Sequence, residues 1–351
     1  MFQTDGEGIV IAVTVTYGDR AGLCNETVRA ALDARAARVV VVLNGSSPTA
    51  SAAIHERWSR NPAVDIVLSE TNLGSAGGYA MGIEAAGYLA TDADRLWLLD
   101  DDNLPRPDCL QLLLEAATAI EQRTGQVCVV FANRTANPLH SRLSRGMAVD
   151  DAYPAPGSYI YFDVLSRLEA CIQRGLGHLP TPEAFTESPS MRQIPYGPYG
   201  GMLINARLAT EYGTPSLAHF VYEDDTEYTF RFNRNGVPLV WVESAKVDER
   251  DAKWTQQASG AGLVGMLTSD QSDRLYLSVR NRVFFDIARC TALSDYVRLI
   301  VNGALYTFAV LLLSLRHGHW RSAVTYARAV LAVATMPRHT VITRMFSRRS
   351  Q

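Results

Sequence analysis

Short apolar runs alternate with amphipathic stretches along the first 130 residues, and the alternation predicts the elements in order. Ile9–Val15 is a β-branched run and reads as a first strand, ending in the polar turn Thr16-Tyr17-Gly18-Asp19. Asn25 is placed to cap a helix through Val28, Ala31 and Leu32. Arg38–Leu43 gives a second strand, ending at Asn44-Gly45-Ser46-Ser47. Val64–Leu68 gives a third, ending in Asn72-Leu73-Gly74-Ser75-Ala76-Gly77-Gly78-Tyr79, with a helix to follow through Ile83 and Ala86. Leu96-Trp97-Leu98-Leu99 has no polar break, as a strand covered on both faces requires. A helix after Pro107-Asp108 runs through Ile120, and Val127–Phe131 reads as a further strand. Strand–helix alternation of this kind predicts a doubly wound α/β fold with a mostly parallel central sheet. Every predicted strand delivers a polar or glycine-rich cluster at its carboxyl end, where such sheets bind ligands.

The pattern is weaker from Asn133 to Pro195, a stretch that includes Pro154, Pro156, Pro180, Pro182 and Pro195 and one helix-like piece, Val164–Arg174. A connection of that length in a compact domain is expected to be a lid or an acceptor-specificity insertion. Tyr196-Gly197-Pro198-Tyr199-Gly200-Gly201 then turns into a strand through Met202-Leu203-Ile204. Beyond it, Glu223-Asp224-Asp225 opens a helix that stops at Asn235-Gly236.

Two acidic clusters carry the candidate chemistry. Asp100-Asp101-Asp102 stands directly behind the Trp97 strand. Three adjacent carboxylates repel one another, so they need water or a cation. At a strand's carboxyl end the cation reading is favoured over an acidic turn, and Asp100 and Asp102 leave an extended backbone on the same side. The acids at 223–225 suit a helix N-terminus through the macrodipole. Together with Glu227 they exceed what a helix start needs, so one of them is a candidate general base. The glycines at 74–78 depart from the G-x-G-x-x-G spacing and follow a third strand, which argues against a dinucleotide fingerprint. They would admit a nucleotide or sugar close to the backbone, or pack a helix on the sheet. A D-x-D phosphatase would place its motif after the first strand with a downstream lysine. Here the motif is on about the fourth strand, and Lys246 and Lys253 are the chain's only lysines.

Charge adds an asymmetry that the overall net of −3 conceals. Residues 296–351 contain eight arginines and no Asp or Glu, so that tail carries +8 and the preceding 295 residues −11. Within it Leu299–Leu315 is uncharged, short of the ~20 residues of a spanning helix. An apolar helix flanked by arginines, followed by the helix-like Arg321–Ala334, suits an anionic membrane surface. A helical pair packed on the main domain, or a homo-oligomer interface, would also account for it. Nucleic acid is disfavoured, because the arginines interleave with aliphatic rather than aromatic residues. The apolar fraction of 47% is that of a folded globular protein. Five scattered cysteines (24, 109, 128, 171 and 290) fit reduced cytoplasmic thiols, and polar Met1–Gly8 does not read as a signal peptide.

Six segments in order resemble family-2 glycosyltransferases of the GT-A fold: Val-Thr-Val-Thr-Tyr at 13–17, Val-Val-Leu-Asn-Gly-Ser at 41–46, Asn-Leu-Gly-Ser-Ala-Gly-Gly at 72–78, Leu-Leu-Asp-Asp-Asp at 98–102, Gly-Gly-Met-Leu-Ile at 200–204 and Tyr-Glu-Asp-Asp-Thr-Glu-Tyr at 222–228. The glycine-rich segment at 72–82 and Tyr276–Arg282 look most like bacterial galactofuranosyl- and rhamnosyltransferases. The resemblance implies a GT-A catalytic domain over 1–250 with the 133–195 insertion, its C-terminal part at 251–295, and a basic helical membrane-associating region at 296–351. It implies an inverting transfer from a nucleotide-sugar, UDP-galactofuranose or dTDP-rhamnose, to a lipid-linked or oligosaccharide acceptor at the cytoplasmic face of the bacterial plasma membrane. Asp100 and Asp102 would hold Mg²⁺ or Mn²⁺ against the donor diphosphate, and Asp225 would be the base, with Asp224 beside it. Thr16, Tyr17, Asn44, Asn72, Gly74, Gly77, Gly78 and Asp101 would line the donor site, and Arg280 and Arg282 would pair with phosphates. Tyr199, Gly200, Gly201 and Glu223 would face the acceptor. Two departures stand out: the second strand ends in Leu43-Asn44 without the usual acid, and no His follows the strand after the base helix. Asp248 is the oxygen ligand expected in that histidine's place. The rivals to this reading are a nucleotidyltransferase on a related fold and an inactive assembly subunit.

Overall fold

The computed structural model describes residues 8–168, 190–251 and 272–336. Its first half follows the predicted alternation: β1 (Val10–Gly18), α1 (Ala21–Asp33), β2 (Arg38–Ser46), α2 (Pro48–Trp58), β3 (Val64–Ser69), α3 (Gly74–Leu89), β4 (Arg95–Asp100), β5 (Asn103–Pro105), α4 (Cys109–Thr124) and β6 (Val129–Arg134). Two short helices, α5 (Pro138–Ser144) and α6 (Val149–Ala152), lead to β7 (Met191–Gln193), β8 (Met202–Asn205) and α7 (Ala206–Glu211). Helix α8 (Asp224–Arg234), β9 (Leu239–Glu249) and the helices α9 (Ser272–Arg289), α10 (Leu293–His317) and α11 (Trp320–Ala332) complete the described chain.

The strands form one mixed sheet in the order β3-β2-β1-β4-β8-β6-β9-β5, with β7 paired to β9. The four N-terminal strands run parallel, β8 enters antiparallel between β4 and β6, and β6 and β9 are again parallel. Side-chain alternation splits β1 and β4 between two cores. Ala12, Trp97 and Leu99 pack toward α1 and α4, while Ile11, Val13, Leu96 and Leu98 pack toward α3, α8 and Tyr199. All seven are at most 1% exposed, which is why the sequence shows unbroken apolar runs here. A third core joins Tyr159 and Ile160 to α9, α10 and α11.

The glycine-rich stretch differs from the reading of it as a loop, because α3 already begins at Gly74. Two asparagines make that start possible: Asn44 Oδ1 accepts the Leu73 amide (2.9 Å) and Asn72 Oδ1 accepts the Gly74 amide (2.8 Å), supplying acceptors to otherwise unpaired N–H groups. A Cβ on Gly78 would lie 2.4 Å from Val15 Cγ1, and one on Gly82 would lie 2.5 Å from Val13 Cγ1. These glycines let the helix sit directly on the sheet. The uncharged run 299–315 lies inside the 25-residue helix α10, which by length and composition could cross a membrane, its most apolar 18-residue window having a mean hydropathy of 1.7. The predicted helix Val164–Arg174 is seen at 164–168, and the rest of it lies outside the described residues, as does Cys171. The other four cysteines are buried free thiols.

Candidate active site

Four strand ends and one helix start converge on a cleft. Strand β4 runs out of its parallel partner at Val15–Asp100 and releases Asp100, Asp101 and Asp102 there. The three carboxylates have separate partners. Asp101 is buried, accepts from Thr16 Oγ1 (2.7 Å) and is gripped by the Arg20 guanidinium through Nε (2.9 Å) and Nη2 (2.9 Å). Arg20 also pairs with Asp251 (2.8 Å), which ties α1's start to the far end of β9. Asp100 accepts from Tyr79 Oη (2.8 Å) and pairs with Arg134 Nη1 (3.0 Å). Asp102 accepts a long contact from Asn103 Nδ2 (3.3 Å) and lies 3.8 Å from Arg20. Burial, with Asp100 beside it, pushes the Asp102 carboxyl up to about 6.

Arg134 is the hub that sequence reasoning missed. It ends β6, pairs with Asp100 on one side and with buried Glu249 (2.7 Å) on the other, and lowers both Asp102 and Asp225 electrostatically. Its backbone amide donates to His140 Nδ1 (3.0 Å), and burial holds that imidazole neutral, down to about 3. The rule that strand ends carry site residues would have found it, since Asn133-Arg134 follows the apolar run Val129–Ala132. Gly200 makes the approach possible: a Cβ there would lie 2.8 Å from Asp100 Oδ2 and 2.9 Å from Arg134 Nη1. Gly201, at φ +86°, gives its amide to Leu98 (2.8 Å). Tyr199 is buried with its ring centroid 4.1 Å from that of Tyr79. The three residues expected at the acceptor thus lie beneath the acid cluster and support it.

The second acid cluster begins α8. Asp224 is buried and accepts from Ser75 Oγ (2.8 Å), so α3's first turn and α8's first turn are joined. Burial and the adjacent Asp225 hold the Asp224 carboxyl well above the usual range. Asp225 stays partly exposed; close packing and Glu223 push it to about 6, with Asp100 raising and Arg134 lowering it. Glu223 turns away from the cleft, accepting from Tyr161 Oη (3.0 Å) and pairing with Arg282 (3.2 Å).

The remaining expected site residues divide clearly. Asn44 and Asn72 shape the start of α3, with Asn44 Nδ2 also donating to the Gly74 carbonyl (2.9 Å). A Cβ on Gly74 or Gly77 would strike Phe220 O or Leu73 Cβ, so both serve close packing. Tyr17 lies exposed at the cleft rim with Arg20 over its ring (5.5 Å). Arg280 and Arg282, expected at donor phosphates, are engaged inside the protein: Arg280 Nη2 donates to the Ala218 carbonyl (2.7 Å), and Arg282, 1% exposed, pairs with Glu223 and Asp286 (2.9 Å). Asp248, expected as a metal ligand, faces Arg106 (3.4 Å) and Thr135 Oγ1 (3.0 Å), because strand alternation turns its neighbour Glu249 toward Arg134 instead. Among the described residues no three His, Cys, Asp or Glu side chains converge as a ready cation site.

An acidic cluster where the parallel strand order reverses, beside a second carboxyl pair on a helix start, places candidate chemistry at the carboxyl ends of a wound α/β sheet. Residues 8–261 match the family described as Glycosyltransferase like family 2, and the chain belongs to that family. It is a glycosyltransferase of the GT-A fold. Galactofuranosyltransferase GlfT1 of Mycolicibacterium smegmatis is 28% identical over 242 residues, covering 66% of this chain and 67% of the relative. The crystal structure of GalNAc-T7 with UDP, GalNAc and Mn²⁺ superposes with a TM-score of 0.50 at 12% identity, over 70% of this chain; the match spans 44% of that structure's length. The mannosyltransferase PcManGT of Pyrobaculum calidifontis, solved with GDP-Man and Mn²⁺, gives a TM-score of 0.49 at 14% identity, over 95% of this chain and 77% of that one.

Proposed function

We propose that the protein is an inverting, divalent-cation-dependent galactofuranosyltransferase that uses UDP-galactofuranose to extend a lipid-linked or oligosaccharide acceptor of a bacterial cell envelope. dTDP-rhamnose is the second donor. The observation that carries the reading is the placement of the acid pair at the start of α8: Asp225 is partly exposed and within electrostatic reach of Asp100 and Arg134, while Asp224 is buried against Ser75. A carboxylate so placed removes the proton of an acceptor hydroxyl. As the acceptor oxygen bonds to C1 of the sugar, the bond from C1 to the diphosphate oxygen breaks on the opposite face, and the hydroxyl proton passes to Asp225. Attack from the opposite face inverts the anomeric centre. The choice of sugar follows the similarity to GlfT1.

The residues at the β4 end fit Mg²⁺ or Mn²⁺. Asp100 and Asp102 offer only oxygen, and the Asp102 carboxyl, raised by burial and then by the charge of Asp100, is in a setting where a hard cation would favour its ionised form. Glu249, on the Arg134 side of β9, is better placed than Asp248 to join them. When bound, the cation would neutralise charge gathering on the departing nucleoside diphosphate. Asp101 fixes the turn through Arg20 and Thr16, and Tyr17 offers the nucleotide base an exposed ring. Helices α10 and α11, with the arginines that follow Asp295, rest on an anionic leaflet at the cytoplasmic face and keep the enzyme beside its acceptor. Their exposed side chains support this: Val297, Ile300, Phe308, Leu312, Leu315 and Leu331 are each about half exposed or more.

The test is nucleoside diphosphate release from a panel of nucleotide-sugars with Mn²⁺ or Mg²⁺, with and without EDTA. EDTA-sensitive turnover of UDP-galactofuranose, lost in Asp102→Ala and Asp225→Ala, is the expected result. Turnover of no donor, even with membrane extract supplying acceptor, refutes the enzyme reading in favour of a binding subunit.

A further inference from the structure

Helix α9 begins at Ser272, beyond the residues that match the family, yet it makes the densest polar contacts to the loop in front of Asp225. That loop is strained: Phe220, Tyr222 and Glu223 all have positive φ, at +63°, +68° and +59°, and none is glycine. Such conformations persist only where the surroundings over-determine them. Here the backbone carbonyls of 218–222 are all accounted for. Arg280 Nη2 donates to Ala218 O (2.7 Å), and Asn281 Nδ2 reaches His219 O (2.8 Å), Val221 O (2.8 Å) and Tyr222 O (2.9 Å). Phe220 O accepts instead from the Ala76 amide (3.0 Å) in the first turn of α3. Arg280 Nε donates to Asn281 Oδ1 (2.9 Å), which fixes the orientation of the Asn281 amide.

Arg282 completes the arrangement one residue further on. Its guanidinium lies 3.8 Å from the Tyr161 ring centroid and pairs with Glu223, the residue immediately before α8. Tyr161 and Ile160 are strained as well, at φ +60° and +47°, and Asp286 of α9 accepts the Ile160 amide (2.8 Å). One face of α9 therefore holds two strained segments against each other, and they meet at Glu223. Removing that grip strips the donors from His219, Val221 and Tyr222 and leaves the loop held chiefly through Ala76 and Ser75 of α3, so the left-handed residues would relax and the start of α8 would shift.

We infer that Asn281 and Arg282 of α9 are positioning residues that set where the general base stands, making this C-terminal helix part of the catalytic unit. The inference rests on Asp225 being the base. The test uses the full chain carrying Asn281→Ala, Arg282→Gln or Arg282→Lys. Backbone amide exchange over 218–226 is measured by mass spectrometry, kcat and donor KM with UDP-galactofuranose and Mn²⁺, and UDP affinity by calorimetry. In Asn281→Ala, exchange at 218–226 should quicken at least about tenfold while β1 and β4 amides stay unchanged. Transfer kcat should fall on the order of 10²-fold with donor KM and UDP affinity held, as expected for a base displaced by about an ångström. Arg282→Lys should recover part of the kcat lost in Arg282→Gln, because it keeps a cation for Glu223. Unchanged exchange at 218–226, or kcat and UDP affinity falling together, overturns the inference. If the wild type turns over no donor, the reading of Asp225 fails and takes the base-positioning inference with it, while the exchange result still shows whether α9 holds the loop. Should Asn281→Ala not fold, Arg282→Lys carries the same readouts.

Discussion

Replacing Arg134 with methionine removes the one cation shared by Asp100 and Glu249 while keeping most of the side chain's volume, so the cavity contribution is small. Breaking a buried pair from one side costs about 3–5 kcal/mol, because the partner charge is left behind. Glu249 is 2% exposed and feels that in full, whereas Asp100 at 32% is partly served by water, which lowers the expectation to about 2–4 kcal/mol. A chain of this length shifts by roughly 2 °C per kcal/mol, so the melting temperature in EDTA should drop by about 4–8 °C. Thermal denaturation followed by circular dichroism measures it. Mn²⁺ should then stabilise Arg134→Met more than wild type, since the cation no longer competes with a guanidinium for Asp100. A melting temperature within 1 °C of wild type would refute the electrostatic role given to Arg134. An equal or smaller response to Mn²⁺ in the variant would refute the competition.

Four further outcomes test other parts of the protein. Asp225→Asn should lower transfer by about 10²–10⁴-fold with UDP affinity and melting temperature preserved, since the side-chain oxygen that accepts the Thr226 amide is kept; lost UDP binding would point to a structural role instead. Because the raised Asp225 carboxyl must be ionised to act, wild-type kcat should rise with pH through about 6 and level off above it. Its neighbours Glu223 and Asp100 push that limb up and Arg134 pulls it down, so a flat profile between pH 5 and 7 contradicts the base assignment. Gly82→Ala gains about 1 kcal/mol of helix propensity but drives its Cβ to 2.5 Å from Val13 Cγ1 and 3.1 Å from Val42 Cγ2. Both valines are stiff at χ1, so overpacking of about 1–3 kcal/mol should win and lower the melting temperature. Finally, vesicles containing anionic lipid should co-sediment the protein and release it with rising salt, and neutral vesicles should bind it weakly; equal binding to both would leave the arginines without a role.

The amino-acid sequence by itself determined the layered α/β framework and the address of the chemistry. Ile9–Val15, Arg38–Leu43 and Leu96–Leu99 became β1, β2 and β4 because their apolar runs suit strands buried on both faces, while Val64–Leu68 became the edge strand β3, only partly covered, with Leu68 59% exposed. Asp100–Asp102 and Asp224–Asp225 were visible because clustered acids at a strand end and a helix start are chemically conspicuous. What each side chain touches was decided only by the tertiary structure, since contacts between residues 80 to 230 positions apart leave no local periodicity. Glu249 rather than Asp248 turns toward Arg134 through the register of β9, and Arg20 reaches both Asp101 and Asp251 across the sheet. The glycine-rich stretch left open close ligand approach or helix–sheet packing, and the structure shows the packing: Gly78 and Gly82 seat α3 on Val15 and Val13. The family resemblance pointed to Arg280 and Arg282 as phosphate ligands, with a structural salt bridge as the alternative for Arg280. The fold instead brings α9 against a loop whose strained backbone needs donors, and their N–H groups are taken there.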